Sequence, residues 1–402
     1  MRIAFLTFFS LFLLLTIPVF SADVTAFLSP DNSYSALAKF LQNSENLYIA
    51  SYTFTSPFIM DELLAIKKNR NANITILVEK SPVGGLPEES KEIFCKLENN
   101  GIPVFLYDGS FRFMHAKYMV KNGGSVLLST ENFGESGFPR KNNRGNRGWG
   151  LVVEDEDIVK AFLEVYFKDL DASERFSCPL DDYKIEYEET SGNYNPSFNL
   201  NSYSSQEVRA IFAPDAVADI INLISSAKES IYVEQFYIYR YWGEKENQFL
   251  EALIDRAREG VDVKVLLDSY WYNIEESDPK SNLHTAGYIN EVAKEENLSL
   301  EARLIDLNNL GLEKLHTKGL IVDKENAFVS TINWNENSPR NNREVGIVVS
   351  GNAAEYFVNA FDYDWYGERR IERVKIDLSM IGLIIVFIVI ILLLRKYFRS
   401  EI

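Results

Sequence analysis

The sequence predicts an α/β fold built from two copies of one unit. Two observations carry this expectation. Short runs rich in β-branched and aromatic residues alternate with helical patterns of about ten to fifteen residues, and the series recurs 184 residues further along the chain. Alternation of this kind argues for sheets covered by helices, and self-similarity at a fixed period makes each copy one unit of a larger architecture.

The elements match in order. Phe27-Leu28-Ser29-Pro30-Asp31 opens the first copy, and Ile211-Phe212-Ala213-Pro214-Asp215 opens the second. Helical patterns follow at 35–41 and 216–227. Leu47-Tyr48-Ile49-Ala50 and Ile231-Tyr232-Val233-Glu234 then read as strands. Further helices are expected over 60–69 and 248–259, and further strands over 74–79 and 261–268. Between the copies, 181–205 is rich in Asn, Ser, Tyr and Glu without apolar periodicity, and reads as a linker. The halves are therefore expected at 23–180 and 206–375.

Composition narrows the function. The chain has 402 residues, with 41 Lys and Arg against 58 Asp and Glu, for a net charge of −17. So acidic a chain is a poor general binder of nucleic acid, although a small basic pocket within an acidic shell remains compatible with it. It holds two cysteines, Cys95 and Cys178, and three histidines, His115, His284 and His316. Their spacing offers no four-ligand zinc site. His284 has no companion motif and reads as a surface residue.

The ends read differently from the body. Met1-Arg2, an apolar run over 3–19 and the small residues Ser21-Ala22 form a secretory signal pattern over 1–22. The uncharged apolar run 378–394 is long enough to span a bilayer, so a transmembrane helix is expected over 376–395. Arg395, Lys396 and Arg399 then place the 396–402 tail in the cytoplasm. The expected location is the cell membrane, with one span and the body outside the cytoplasm. There Cys95 and Cys178 can pair as a disulfide or remain two buried thiols.

Each half contains one His-x-Lys in a shared frame. His115-Ala116-Lys117 leads to Ser129-Thr130-Glu131-Asn132, and His316-Thr317-Lys318 leads to Ser330-Thr331-Ile332-Asn333. In both, the serine follows the histidine by 14 residues and the asparagine by 17. Alternation along an extended chain points His115 with Lys117, and His316 with Lys318. The same rule points Thr130 with Asn132, and Thr331 with Asn333. Two such sets facing each other would give lysines and amides for anionic oxygens, and imidazoles for nucleophile and acid work. Tyr237, Tyr239, Tyr241, Trp242, Trp271 and Tyr272 follow strand ends, where α/β folds commonly meet ligands.

This pattern resembles the phospholipase D superfamily, whose signature is His-x-Lys, four residues, Asp, then Gly-Ser-x-Asn. The second half matches through His316, Lys318, Asp323, Ser330, Thr331 and Asn333. In the first half Asn122 stands at the Asp position, and Gly148 falls opposite Glu344. The resemblance implies two pseudo-symmetric α/β/α halves sharing one active site. It implies His115, Lys117, Asn132, His316, Lys318, Asn333 and Glu344 as catalytic groups, with Ser129, Thr130, Ser330 and Thr331 touching substrate. Glu344 is expected to serve His115 across the halves, leaving His316 without its carboxylate unless another acid substitutes. The implied activity is phosphodiester cleavage or transfer through a phosphohistidine, without metal or cofactor. Phospholipid is the expected substrate and the membrane the expected partner. Nucleic acid is the second choice, and a degenerate binding protein is the third.

Overall fold

The computed structural model describes residues 21–179 and 185–367. Within them the first half runs β1 (Ser21–Ser29), α1 (Ser33–Leu41), β2 (Asn46–Ser51), α2 (Pro57–Arg70), β3 (Asn73–Glu79), α3 (Glu88–Asn99), β4 (Val104–Tyr107), β5 (Tyr118–Lys121), β6 (Ser125–Ser129), β7 (Gly148–Glu154), α4 (Glu156–Asp171) and β8 (Ser173–Arg175). The second half runs β9 (Asn201–Ala213), α5 (Val217–Ser225), β10 (Ser230–Gln235), the hairpin β11 (Tyr241–Trp242) and β12 (Lys245–Glu246), α6 (Gln248–Arg258), β13 (Asp262–Leu267), α7 (Asn282–Glu296) and β14 (Leu300–Leu304). It closes with α8 (Leu307–Leu310), β15 (Lys318–Val322), β16 (Asn326–Ser330), α9 (Asn337–Asn341), β17 (Glu344–Ser350) and α10 (Asn352–Tyr366).

The local signals explain these boundaries. Ser56 caps α2 by accepting from the Ile59 amide at 3.2 Å, Pro57 takes the first turn, and Asn71 ends the helix in the left-handed conformation. In the second copy Asn247 caps α6 in the same role. β2 and β10 lie inside the sheet, paired parallel with β3 and β13, and β10 is buried along its whole length.

The two halves form one sheet. Its order is β14-β13-β10-β15-β16-β17-β9-β1-β7-β6-β5-β2-β3-β4-β8. β1 and β9 pair antiparallel at the centre, and each is flanked by its own half's late strand, β7 or β17. The remaining strands are arranged outward in the same sequence on either side, which gives the halves their pseudo-two-fold relation. α4 and α10 cover the shared inner face, burying Phe162, Tyr166, Phe357 and Phe361 in a core drawn from both halves. α1–α3 and α5–α7 cover the outer faces of the first and second halves.

Two boundaries differ from expectation. β9 begins at Asn201, inside the stretch expected as linker, so the second unit starts before 206. Residues 201–205 are largely exposed and polar, which hides them from a search for apolar alternation. Residues 197 and 198 are also tied down, since both amides donate to Asp31 Oδ1, at 2.6 and 2.9 Å. Cys95 on α3 is disulfide-bonded to Cys178. The expected signal lies outside the described residues except for Ser21 and Ala22, which open β1. The expected span over 376–395 and the tail also lie outside them. Among the described residues no helix is long and apolar enough to cross a membrane.

Candidate active site

Both His-x-Lys segments lie at the seam between the halves. Each is extended but precedes or just enters its strand. Met114, Ala116 and Tyr118 alternate into the core, which leaves His115 and Lys117 on the other side. Each segment is pinned by the opposite half. The amide of His115 donates to Arg343 O at 2.9 Å, and that of Arg343 donates to Phe113 O at 2.9 Å. Likewise the amide of His316 donates to Arg147 O at 2.8 Å, and that of Arg147 to Lys314 O at 2.7 Å. The arginines are themselves buried in ion pairs, Arg343 with Asp169 and Arg147 with Asp31 and Asp364.

This bracketing carries Glu344 to His115. Glu344 Oε2 lies 2.8 Å from His115 Nδ1. Its other oxygen accepts from Ser338 Oγ at 2.5 Å and Asn342 Nδ2 at 3.0 Å. The carboxylate thus favours a proton on Nδ1 and a free lone pair on Nε2. At His316 another acid does substitute. Glu131 Oε1 lies 3.3 Å from His316 Nδ1, a charge contact rather than an aligned hydrogen bond. Asn146 Nδ2 donates to Glu131 Oε2 at 2.9 Å.

Each lysine is buried beside its own histidine. Lys117 Nζ donates to His115 O, and Lys318 Nζ donates to His316 O at 2.6 Å and to Thr130 O at 3.4 Å. An aromatic ring stands beside each histidine: Tyr52 at 4.6 Å from His115 and Phe236 at 4.8 Å from His316, between centroids. Sequence reasoning missed this pair, although 52 and 236 keep the 184-residue offset of the strands before them. The Oδ1 atoms of Asn132 and Asn333 are buried and without a hydrogen-bond partner among the described residues.

The four hydroxyls hydrogen-bond to backbone. Thr130 Oγ1 accepts from the Trp149 amide and Thr331 Oγ1 from the Val345 amide, each at 3.0 Å. Ser129 Oγ accepts from the Glu131 amide at 3.1 Å, and Ser330 Oγ donates to Lys318 O at 3.1 Å. The strands end at Ser129 and Ser330 and the chain bends there, so two-residue alternation no longer governs where Thr130 and Thr331 point. These residues fasten backbone and are fully buried. Asp323 likewise holds its loop, accepting from the amides of Lys228, Glu229 and Ser230. His284 is on the surface, with Nε2 2.8 Å from Glu276 O.

Burial dominates the electrostatics. It brings His115 to about 4, against the pull of Glu344, with Lys117 and Lys318 adding to the fall. It brings His316 to about 4 as well, helped by Lys318 and Lys117 and opposed by Glu131. Each lysine thus lowers both histidines. Lys117 falls to about 7 through burial, and Lys318 falls well below its ordinary value for the same reason. Burial pushes Glu131 and Glu344 upward, but their histidines and lysines outweigh it, so both remain carboxylates. The neutral His115 is therefore a competent nucleophile, and an arriving phosphodiester anion favours recharging of the second imidazole.

A cleft of about 850 Å³ opens onto His115. Tyr52, Phe113, Tyr237, Tyr239 and Tyr241 form its aromatic walls, and Arg112, Arg240 and Lys280 supply cations beside Glu244 and Glu336. Trp242 is instead packed in the core against Phe249. Trp271 and Tyr272 stand outside the cleft, with Trp271 68% exposed.

The family pattern described as cardiolipin synthase, PLD-like domain, matches residues 37–170 and 220–365, both halves of the seam site. This chain belongs to the phospholipase D superfamily. Among curated proteins, this phospholipase D-like chain is 29% identical over 135 residues to the DISARM protein DrmC of Bacillus paralicheniformis. That match covers 34% of the chain and spans about half (50%) of the relative's length. Among solved structures it resembles phosphatidylserine synthase of Haemophilus influenzae, with a TM-score of 0.57, 11% identity and 85% of each chain covered. Polyphosphate kinase of Porphyromonas gingivalis follows at 0.52 and 14%, over 85% of this chain and 50% of that one. At these identities the likeness is one of fold.

Proposed function

We propose that the protein is a phosphodiesterase or phosphatidyl transferase acting through a phosphohistidine, with phospholipid as substrate. The observation that carries this reading is the pair of buried histidines at the seam, each beside a carboxylate from the opposite half, with Lys117 and Lys318 acting on both. His115 Nε2 attacks phosphorus, an N–P bond forms, and the P–O bond to the leaving alcohol breaks. His316 gives that oxygen its proton. Water or an acceptor alcohol then gives a proton to His316 and attacks phosphorus, which releases His115. Lys117, Lys318, Asn132 and Asn333 hold the non-bridging oxygens as charge shifts onto them. The donors available for those oxygens are ammonium and amide groups, and Glu131 and Glu344 are occupied with their histidines, so the reading needs no metal.

Phospholipid is favoured over nucleic acid by the net charge of −17. We further propose a single span over 376–395 holding the body outside the cytoplasm; the Cys95–Cys178 disulfide accords with such an oxidising compartment. The test is to give the full chain in detergent, with EDTA present, a phosphatidyl lipid, bis(p-nitrophenyl) phosphate and single-stranded DNA in parallel. Lipid turnover that survives chelation is expected. Turnover of DNA alone would replace the substrate, and activity that disappears with EDTA and returns with Mg²⁺ or Zn²⁺ would replace the mechanism.

A further inference from the structure

The halves solve one problem in two ways. In the second half the carboxylate stands at the head of β17, as Glu344, directly after Asn342-Arg343. In the first half Asn146-Arg147 is followed by Gly148 at the head of β7. The arginines make equivalent backbone brackets, so Gly148 is carried to His316 as Glu344 is carried to His115. A side chain at 148 has no room: its Cβ would stand 2.6 Å from both Cγ and Oε1 of Glu131. Glu131 already fills the space that a glutamate at 148 would enter.

The support has stayed in place while the acid has moved. Asn342 Nδ2 donates to Glu344, and its counterpart Asn146 donates to Glu131. The residue matching Glu131 in the second half is Ile332, fully buried and apolar. A buried carboxylate at 131, where the repeat calls for an aliphatic side chain, needs a partner to hold its charge, and His316, Lys318 and Asn146 are the groups it meets.

Resting on the phosphodiester reading above, we propose that Glu131 is the positioning carboxylate of His316, transferred from the strand position now held by Gly148 to the turn before it. Glu131 sets which ring nitrogen of His316 carries the proton and aims the other at the leaving oxygen. The three groups that face this imidazole with charge are Glu131, Lys318 and Lys117, and the Phe236 ring packs beside it. Glycine at 148 is then a requirement of the exchange.

The exchange can be reversed. Glu131→Ile with Gly148→Glu gives the first half the arrangement of the second. Activity is read on a dialkyl phosphodiester, which needs the acid, and on bis(p-nitrophenyl) phosphate, which does not. With only three histidines in the chain, nitrogen-15 labelling of histidine also reads the His316 tautomer without any substrate. Glu131→Gln and Glu131→Ile should each lower kcat on the alkyl diester at least about tenfold, spare the nitrophenyl diester comparatively, and erase the Nδ1–H preference of His316. Gly148→Glu alone should be the most damaged. The double variant should recover both the tautomer and most of the alkyl diesterase activity. If the tautomer is unchanged in Glu131→Gln, or the double variant is no better than Glu131→Ile in tautomer and rate, the assignment is wrong. A wild-type protein inactive on every diester would sink the phosphodiester reading alone, since the tautomer still reports on Glu131.

Discussion

At the scale of single residues, the site asks its groups to work in opposite protonation states, and burial decides where each can do so. In the proposed mechanism His115 attacks as the neutral imidazole, and burial has already brought it to about 4, so this requirement fails only in acid. In the same mechanism Lys117, brought to about 7, would stabilise the phosphoryl oxygens as a cation, and His316, brought to about 4, would donate in its protonated form. Both of the latter are lost as pH rises. kcat/KM, which follows the free enzyme, is therefore expected to peak in acid near pH 4, where a neutral His115 and a protonated His316 coexist, to fall as pH rises and His316 loses its proton, and to fall further above about pH 7 as Lys117 loses its own. A pH profile on the alkyl diester checks this, and an optimum well above neutrality would contradict it. The doubled spacing made His115, Lys117, Asn132, His316, Lys318 and Asn333 visible in the sequence, and the family resemblance added Glu344. Glu131 was not, because it occupies the variable position between threonine and asparagine. The signal was a charge in one copy where the other has Ile332, and it gains meaning only once Gly148 is known to lack the room.

At the scale of elements, strands and helices with clean alternation or capping were legible, and those set by tertiary context were not. α2 carries its Ser-Pro start and Asn stop in the sequence, and the structure extends the expected helix only to Pro57–Arg70. β9 escaped because its first residues are exposed on both faces and carry no period. The turn after β6 and β16 defeated the two-residue rule, and its hydroxyls also fasten backbone. The strands at the seam also depend on close approach. Trp149 of β7 lies over Gly319 of β15, where a Cβ would stand 2.4 Å from the indole ring. Trp149 is fully buried and packs on Phe357 of α10, with centroids 4.9 Å apart, so it cannot yield freely. Gly319→Ala should cost about 1–3 kcal/mol and reduce activity through the adjacent Lys318. Urea unfolding and a rate measurement on the same variant check both, and an unchanged midpoint would show that the seam is looser than described.

At the scale of the whole molecule, the repeat foretold two halves but not how they join. The central β1–β9 pair merges them into one sheet, and α4 and α10 cover the joint, so the site lies within a single body and neither half holds a complete set. His115 depends on Glu344, and His316 stands beside Glu131, each across the seam. Composition alone could not show this, since a shared core and two separate cores use the same residues. The halves nevertheless differ: the carboxylate of His115 is closer and aligned, at 2.8 Å against 3.3 Å, and His115 faces the cleft. The central claim is thus that one shared site works through a covalent intermediate on one particular histidine. Quenching the full chain during turnover of a phosphorus-labelled diester, followed by peptide mapping, tests it most directly. Label is expected on His115, retained in His316→Asn with bis(p-nitrophenyl) phosphate and absent from His115→Asn with any substrate. Label on His316 in the unmodified protein, or turnover with label on neither histidine, would contradict the account.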